Sequence, residues 1–351
     1  MTITEIAQAA GVSIATVSRY LNNGPVKKET REKLESVILK LNYVPESMVH
    51  QIVNTPLKAI AVLVHSLSNN YAMEFAEVLN YCYTGRETML YIGCIPDPKI
   101  EYRYLMDLVS RGIKGTILLD SSEYKTQSEI YNELGKYMPI VLVHSFPADF
   151  PFNTITVNQE IGMKNAMRYL INLGHRNILF VRGTKGFSFD LKEKIWKEEL
   201  EKAGTPPAPE QIRTISDSDK KTGMETTYQA VSEYLEAGNR PSAIFTCNDI
   251  MAMGTLKALR EKGLQVPRNI SLISHDNTAL AACNDITSVD MKIRSVAIAA
   301  MDLLDYAIGG NDTAARHISI TPELVIRSSV LPLSETHMEK NSPFPDKYRI
   351  P

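Results

Sequence analysis

The chain has 351 residues, of which 44% are hydrophobic and 22% charged, and its net charge is −2. These proportions are ordinary for a globular protein, and the length allows two or three domains. Because no apolar run approaches the roughly 20 residues of a membrane span and no signal peptide opens the chain, we expect a cytoplasmic protein that does not bind membranes.

The N-terminal residues predict a small all-α domain built on two short helices and a tight turn. Thr2 and Glu5 form a capping-box pattern that begins the first helix. Gly11 supplies the permissive backbone that the turn needs, and Ser13 is a natural N-cap for the second helix. A third helix over residues 28–41 completes the core. This pattern is typical of a helix-turn-helix domain, whose second helix enters the DNA major groove.

After Pro45 and a linker, short apolar runs alternate with longer amphipathic stretches. Repeated βα units favour parallel sheets covered by helices, and their number exceeds one sheet, which predicts two lobes. The predicted strands cover residues 59–64, 89–95, 116–119, 140–143, 178–181, 243–246 and 270–273. The predicted helices cover residues 72–83, 102–111, 162–172, 190–203, 223–236 and 250–262.

Motifs at both ends of the chain stand in the order of one family. Ala-Gly-Val-Ser-Ile-Ala-Thr-Val-Ser-Arg-Tyr-Leu-Asn occupies 10–22, Leu-Gly-His-Arg-Asn-Ile occupies 173–178, and Asn-Asp-Ile-Met-Ala-Met-Gly occupies 248–254. Further motifs occupy 30–34, 41–45, 256–267 and 322–329. On these motifs the chain resembles the LacI/GalR family of bacterial repressors over nearly its whole length.

The resemblance implies an N-terminal all-α helix-turn-helix domain followed by an α/β core of two Rossmann-like lobes, as in periplasmic binding proteins. The boundaries that we expect are 1–45 for the DNA-binding domain, 46–57 for a hinge linker, 58–335 for the effector-binding and dimerisation core, and 336–351 for a C-terminal tail. Lobe one of the core would cover about 58–160 and 290–320, and lobe two about 161–289 and 321–335.

The resemblance places DNA contacts on the second helix and the hinge. Ile14 and Ala15 hold base-reading positions but are apolar, so they can contact thymine methyl groups, whereas Arg19 is the candidate for a guanine or a phosphate. In the hinge, Ile52 stands where the family inserts a leucine into the minor groove, and His50 replaces an arginine. The predicted DNA-binding set is Thr4, Ser13, Ile14, Ala15, Thr16, Ser18, Arg19, Asn22, His50 and Ile52.

The family binds its effector between the lobes, at loops that follow strand ends. Carboxylates and amides such as Asp276 and Asn248 can accept and donate hydrogen bonds to sugar hydroxyls. Lys192 replaces a family arginine and lacks its planar fork, and Asn158 and His144 replace aspartates. The predicted effector-binding set is Tyr71, Ser122, Glu123, Lys192, Asn248, Asp249 and Asp276.

Catalytic motifs are missing from the sequence. Ser274, His275 and Asp276 have the residue types of a triad, but neighbours on one strand do not assemble one. The four cysteines are scattered, and neither a phosphate loop nor a paired metal-ligand spacing occurs. We therefore expect no enzyme, no metal and no cofactor.

The predicted function is that of a homodimeric repressor of a carbohydrate operon, which binds a pseudo-palindromic operator and responds to a sugar or a sugar derivative. The C-terminal segment lacks leucine heptads, which favours a dimer over a tetramer. Two alternatives stay open. One is a regulator controlled by a protein corepressor, as in the catabolite-control branch of the family, and the other is a cytoplasmic sugar-binding enzyme.

Overall fold

The computed structural model describes most of the chain. The described residues are 2–22, 24–41, 43, 58–95, 100–119, 131–144, 152–184, 186–216, 222–310 and 314–335. The predicted hinge and tail, with the site residues His50, Ile52, Ser122 and Glu123, lie outside them.

The N-terminal domain consists of α1 (Ile3–Ala10), α2 (Ile14–Leu21) and α3 (Lys28–Lys40). The predicted caps are present. Glu5 Oε2 accepts a hydrogen bond from the Thr2 N–H at 2.8 Å, and Gly11 ends α1 with a left-handed φ of 65°. Apolar side chains from all three helices form the buried centre of this domain, namely Ile6, Ala7, Val17, Leu21, Leu34 and Ile38.

Twelve strands and eight α-helices of the described core follow in chain order. The strands are β1 (Ala59–Val64), β2 (Met89–Cys94), β3 (Thr116–Leu119), β4 (Ile140–Val143), β5 (Asn153–Val157), β6 (Ile178–Gly183), β7 (Ile212–Ile215), β8 (Ala243–Thr246), β9 (Ser271–Asp276), β10 (Thr287–Asp290), β11 (His317–Ile320) and β12 (Glu323–Val325). The helices are α4 (Asn70–Tyr83), α5 (Glu101–Ser110), α6 (Gln159–Asn172), α7 (Phe187–Lys202), α8 (Thr222–Glu236), α9 (Asp249–Glu261), α10 (Ala279–Cys283) and α11 (Ile293–Ile308).

The strands form two six-stranded sheets, with the orders β11-β5-β4-β3-β1-β2 and β12-β10-β9-β8-β6-β7. Pairing is parallel between β1 and β3 and between β8 and β9, whereas β12 runs antiparallel to β10. Because each parallel strand requires a crossover, helices lie between most consecutive strands. By its internal contacts the chain divides into a first unit (Met1–His65, Ala76–Ile155 and Ala297–Ile318) and a second unit (Ser66–Phe75, Thr156–Val296 and Ser319–Pro351).

All the strands and helices that we predict for the core are present, with ends that differ by up to three residues. The apolar pattern did not reveal β5, β7, β10, β11 or β12. Three of these strands, Asn153–Val157, Ile212–Ile215 and Thr287–Asp290, mix hydroxyl or charged side chains with few apolar ones. They lack the continuous apolar run by which a buried strand is recognised.

The N-terminal domain packs against α5 within the first unit. Glu35 of α3 forms an ion pair with Arg103, and the hydroxyl of Tyr102 donates to the carbonyl of Tyr43 at 3.3 Å. Burial raises the pKa of Tyr102, and burial together with the nearby Glu35 raises the pKa of Tyr20 to about 12. An ion pair, a hydrogen bond, the buried Tyr102 and the half-buried Tyr20 therefore connect this domain to the core.

We expect Arg103→Glu to loosen this contact, because it places two carboxylates where an ion pair stood. An exposed pair contributes about 1 kcal/mol or less, so the effect should be faster local motion of the domain rather than unfolding. Backbone amide relaxation of α1–α3 measures that motion directly. The charge-swapped double variant, Glu35→Arg with Arg103→Glu, should restore the original relaxation, and independent effects of the two substitutions would contradict the contact.

A buried histidine joins the end of the described chain to the second sheet. His175 is fully buried, with Nε2 2.8 Å from the Leu331 carbonyl and Nδ1 3.1 Å from the Ser242 hydroxyl. Burial, together with the nearby charge of Arg176, lowers the pKa of His175 against the opposing hydrogen bond to Leu331. The folded protein therefore holds this imidazole neutral.

Acid should lower the stability of the folded protein through His175. Below about pH 6.5 the unfolded chain takes up a proton on His175 that the folded chain excludes, so stability falls as the pH falls through that value. Thermal unfolding of the wild type and His175→Gln between pH 5 and 8 measures the effect. The variant should lose part of the acid sensitivity, and identical pH profiles would disprove a buried neutral imidazole.

Candidate functional site

The recognition helix α2 begins with a side-chain cap. Ser13 Oγ accepts the N–H of Thr16 at 3.1 Å and lies 2.8 Å from the Thr16 hydroxyl, which fixes the first turn. At the other end, the Asn22 amide donates to the Ser18 carbonyl at 2.8 Å. Val17 packs inward, so the opposite face of the helix lies toward solvent.

That exposed face carries the predicted base-contacting residues. Ile14 is 51% exposed, so its apolar side chain is accessible for contact with a thymine methyl group. Within the described chain, the Arg19 guanidinium has no ion-pair partner, so it can reach a base or a phosphate. We call Ser13, Ile14, Ala15, Arg19 and Asn22 the recognition face. Thr4 is also exposed, whereas Thr16 and Ser18 are half-buried.

A second polar cluster lies at the carboxyl edge of the second sheet. The parallel strands β6, β8 and β9 end at Gly183, Thr246 and Asp276 on one edge of the sheet, and Asn248 follows β8 by two residues. Asn248 caps α9, since its Oδ1 accepts the N–H of Met251 at 2.9 Å. Carboxyl edges of parallel sheets are where α/β folds bind ligands, because helix N-termini and loops meet there.

Lys192 and Arg182 bring two buried cations to this edge. The ammonium of Lys192 donates to the carbonyl of Cys247, the residue after β8, at 3.1 Å. Arg182 pairs with Glu193 and, at 2.5 Å, with Asp190. Although burial opposes it, these two carboxylates raise the pKa of Arg182. Arg182 is not among the predicted site residues, although a charge at the end of the apolar run of β6 indicates a strand edge.

Asp249 lies beneath the edge, in a buried network. Its side chain accepts hydrogen bonds from the hydroxyls of Ser274 and Ser288, the latter at 3.1 Å, and from the backbone N–H and hydroxyl of Thr278 at 2.7 and 2.9 Å. Burial raises the pKa of Asp249 against the effect of these donors. The network shapes the loop that carries Asp276, so Asp249 positions neighbouring residues.

Asp276 and Asn277 adopt left-handed backbone conformations, with φ values of 103° and 57°. Asn277 is held by Ser288, whose hydroxyl accepts its N–H at 3.0 Å, and by Arg327, which donates to its Oδ1 at 2.7 Å. Strained backbone held by such contacts is a feature of functional sites. One Asp276 oxygen lies 3.0 Å from His275 Nδ1, and the side chain is 20% exposed.

The remaining predicted site residues lie as follows. Tyr71 is 6% exposed and belongs to the second unit, in which the carboxylate of Glu74 accepts the N–H of Ala279 at 2.8 Å. The Ser274 hydroxyl donates to Asp249, so Ser274, His275 and Asp276 do not form a triad. Within the described ranges, no three His, Cys, Asp or Glu side chains group as a metal site, and no helix could span a membrane.

Comparison with known proteins identifies the family of both domains. Residues 2–46 match the family described as "Bacterial regulatory proteins, lacI family", and residues 167–330 match "Periplasmic binding protein-like domain". The HTH-type transcriptional regulator DegA of Bacillus subtilis (strain 168) is 29% identical over 345 residues, which are 95% of this chain and 99% of that protein.

Solved structures agree with the fold. The transcriptional regulator CelR in complex with cellobiose has a TM-score of 0.67 at 22% identity, and the lac repressor dimer bound to operator and the anti-inducer ONPF has a TM-score of 0.65 at 23% identity. Each comparison covers 94% of this chain and 99% of the other. With its helix-turn-helix domain and its two-sheet α/β core, the chain belongs to the LacI family of bacterial transcriptional regulators.

Proposed function

We propose that this regulator represses a carbohydrate operon and that a small polyol, held at the carboxyl edge of the second sheet, sets its affinity for the operator. The observation that carries the proposal is the polar edge formed by Lys192, Asn248 and Asp276 above the network of Asp249. Amide and carboxylate groups at one strand edge suit a ligand with several hydroxyls. The complex of CelR with cellobiose supports a sugar as the ligand.

The DNA half of the proposal assigns base contact to the recognition face. One helix-turn-helix per chain gives limited affinity, so a dimer binding two half-sites about one helical turn apart is the arrangement expected. The test is footprinting on the DNA upstream of the gene and of its neighbours, followed by anisotropy titration of the protected site. Protection of two related half-sites supports the proposal.

Effector control is tested on that operator complex with D-glucose, cellobiose, D-gluconate, D-glucuronate and glucose 6-phosphate. An affinity change of about 5–150-fold, the range of typical allosteric coupling, supports a sugar effector. Operator binding that responds only when a cell extract containing a corepressor protein is added would favour the corepressor alternative instead.

Arg19→Ala should weaken operator binding by about 1–3 kcal/mol and relax base preference at one position of each half-site, since the guanidinium can bond two acceptors of a guanine. The measurement is affinity for the operator and for its single-base variants. Lys33→Ala removes the same charge from α3, where Lys33 pairs with Glu29, and serves as the control. If Arg19→Ala lowers the affinity for the operator and for all its single-base variants equally, Arg19 contacts only a phosphate.

A further inference from the structure

Lys192 is a buried cation that pairs with no carboxylate in the described part of the chain. Its side chain is 3% exposed, and its ammonium donates to one carbonyl oxygen, that of Cys247. The ring of Phe189 lies 6.0 Å from Nζ, at the outer limit of a cation–π contact. Among the residues that the structure describes, no carboxylate lies within ion-pair distance of Lys192. An ammonium has three N–H donors and is costly to bury unless it is paired with an anion.

The neighbouring carboxylates are engaged with other cations. Asp190 and Glu193 both pair with Arg182, and Glu193 also pairs with Lys197, whereas neither pairs with Lys192. Asp276, the acidic group at the same edge, engages His275 through one oxygen at 3.0 Å.

The start of α7, the helix that carries Lys192, has backbone N–H groups without a side-chain cap. This helix begins at Phe187, four residues after β6 ends, and its N-cap, Gly186, provides no side-chain hydrogen bond. The N-terminus of a long helix attracts anions through its free N–H groups and its dipole. A buried ammonium and an N-terminus without a side-chain cap thus belong to the same helix, next to the polar strand edge.

We propose that the effector of this regulator is an acidic polyol, that is, a sugar derivative with a carboxylate or phosphate group that pairs with Lys192 while its hydroxyls bind Asn248 and Asp276. The inference rests on the proposed effector site. It narrows the ligand from any sugar to an anionic one, because a neutral sugar would bring no charge to an ammonium that pairs with no carboxylate of the described residues.

The first test needs no knowledge of the natural ligand. Lys192→Met removes the charge at similar length, so the ligand-free variant should be at least as stable as the wild type. Inorganic phosphate, compared with chloride at equal ionic strength, should raise the melting temperature of the wild type and not that of Lys192→Met. Lys194→Met, which removes an exposed lysine of the same helix paired with Glu198, should behave as the wild type.

The second test separates the sources of the anion. Calorimetric titration with D-gluconate, D-glucuronate and glucose 6-phosphate should show binding that weakens about tenfold or more in Lys192→Met, the loss expected for a charge-assisted hydrogen bond. Lys192→Arg should keep most of the affinity. Preference for the two sugar acids identifies a carboxylate ligand, and preference for the phosphate ester identifies a phosphorylated one.

The outcomes separate this inference from the proposed function. If D-glucose or cellobiose changes operator affinity while no anion binds in a Lys192-dependent way, the acidic ligand is disproved and a sugar-controlled repressor survives. If no anion stabilises the wild type more than Lys192→Met, the inference also fails. A loss of stability in ligand-free Lys192→Met would assign the lysine a structural role through Cys247. Failure of operator binding, by contrast, would overturn the proposed function itself.

Discussion

Asp249→Ala should destabilise the protein by about 3–5 kcal/mol, because it strips a buried cluster of its shared acceptor. Four donor groups from Ser274, Thr278 and Ser288 lose their partner at once. These residues are fully buried or nearly so, and water cannot replace the carboxylate without opening the sheet edge. The measurement is denaturant or thermal unfolding of the purified variant.

Asp249→Asn should destabilise the protein far less than Asp249→Ala, so comparing the two variants separates the role of the charge from that of the hydrogen bonds. Its amide oxygen can accept from the N–H and hydroxyl of Thr278, while its NH₂ faces Ser274 and Ser288. Those two hydroxyls can rotate to accept instead of donating, so the network survives without its charge. Glu201→Ala, which removes an exposed carboxylate from α7, should change stability by less than about 0.5 kcal/mol.

A result in which Asp249→Asn is as damaging as Asp249→Ala would mean that the charge itself is required. If Asp249→Ala were as stable as the wild type and lost only its effector response, Asp249 would contact the ligand, as the sequence resemblance implies. The stability measurement therefore decides between a positioning role and a binding role for this residue.

Local features of the DNA-binding domain could be predicted because their causes are local. The Ser13 cap bonds a residue three positions along the chain, and the left-handed Gly11 ends a helix whose pattern is visible in eight residues. The apolar residues of each helix stand at helical spacing, as Val17 and Leu21 do in α2 and Leu34 and Ile38 in α3, and these four side chains are buried. Sequence neighbours carry each of these interactions, so pattern and structure agree.

The polar edge of the second sheet could be predicted only in part. Asn248 and Asp276 follow apolar runs, so the ends of their strands were visible in the sequence. The partners of Asp249 come from β9, β10 and the loop between them, at separations of 25–39 residues. Periodicity does not report such contacts. For the same reason, periodicity does not report that Arg182 pairs with Glu193, or that Lys192 pairs with no carboxylate of the described residues.

Substitution of Asp276 should abolish the effector response while leaving operator affinity unchanged. Its carboxylate lies at the edge of the second sheet, outside the DNA-binding domain, so its loss should act on the ligand and not on DNA. Alanine is a poor probe here, because the φ of 103° strains any residue with a Cβ. Asp276→Gly removes the carboxylate and accepts this backbone conformation.

We expect the sugar derivative that changes wild-type operator affinity to bind Asp276→Gly at least about tenfold more weakly, since hydrogen bonds to a charged acceptor contribute about 1.5–3 kcal/mol each. Asp276→Asn keeps one acceptor oxygen and tolerates positive φ, so its affinity for the compound should lie between those of the wild type and Asp276→Gly. Operator anisotropy with and without the compound measures both quantities in one experiment. Coupling requires that the ligand prefer one conformation of the protein, so weaker binding must reduce the response at a fixed ligand concentration.

A normal response in Asp276→Gly would place the effector elsewhere and would favour control by a corepressor protein. Reduced operator affinity without any compound would mean instead that the loop of Asp276 contributes to the DNA-binding conformation itself. Asp285→Gly supplies the matched control, since Asp285 is an exposed aspartate with a φ of 52° in the same unit. It removes a carboxylate from an equally left-handed position away from the strand edge, and it should leave both operator affinity and effector response as in the wild type.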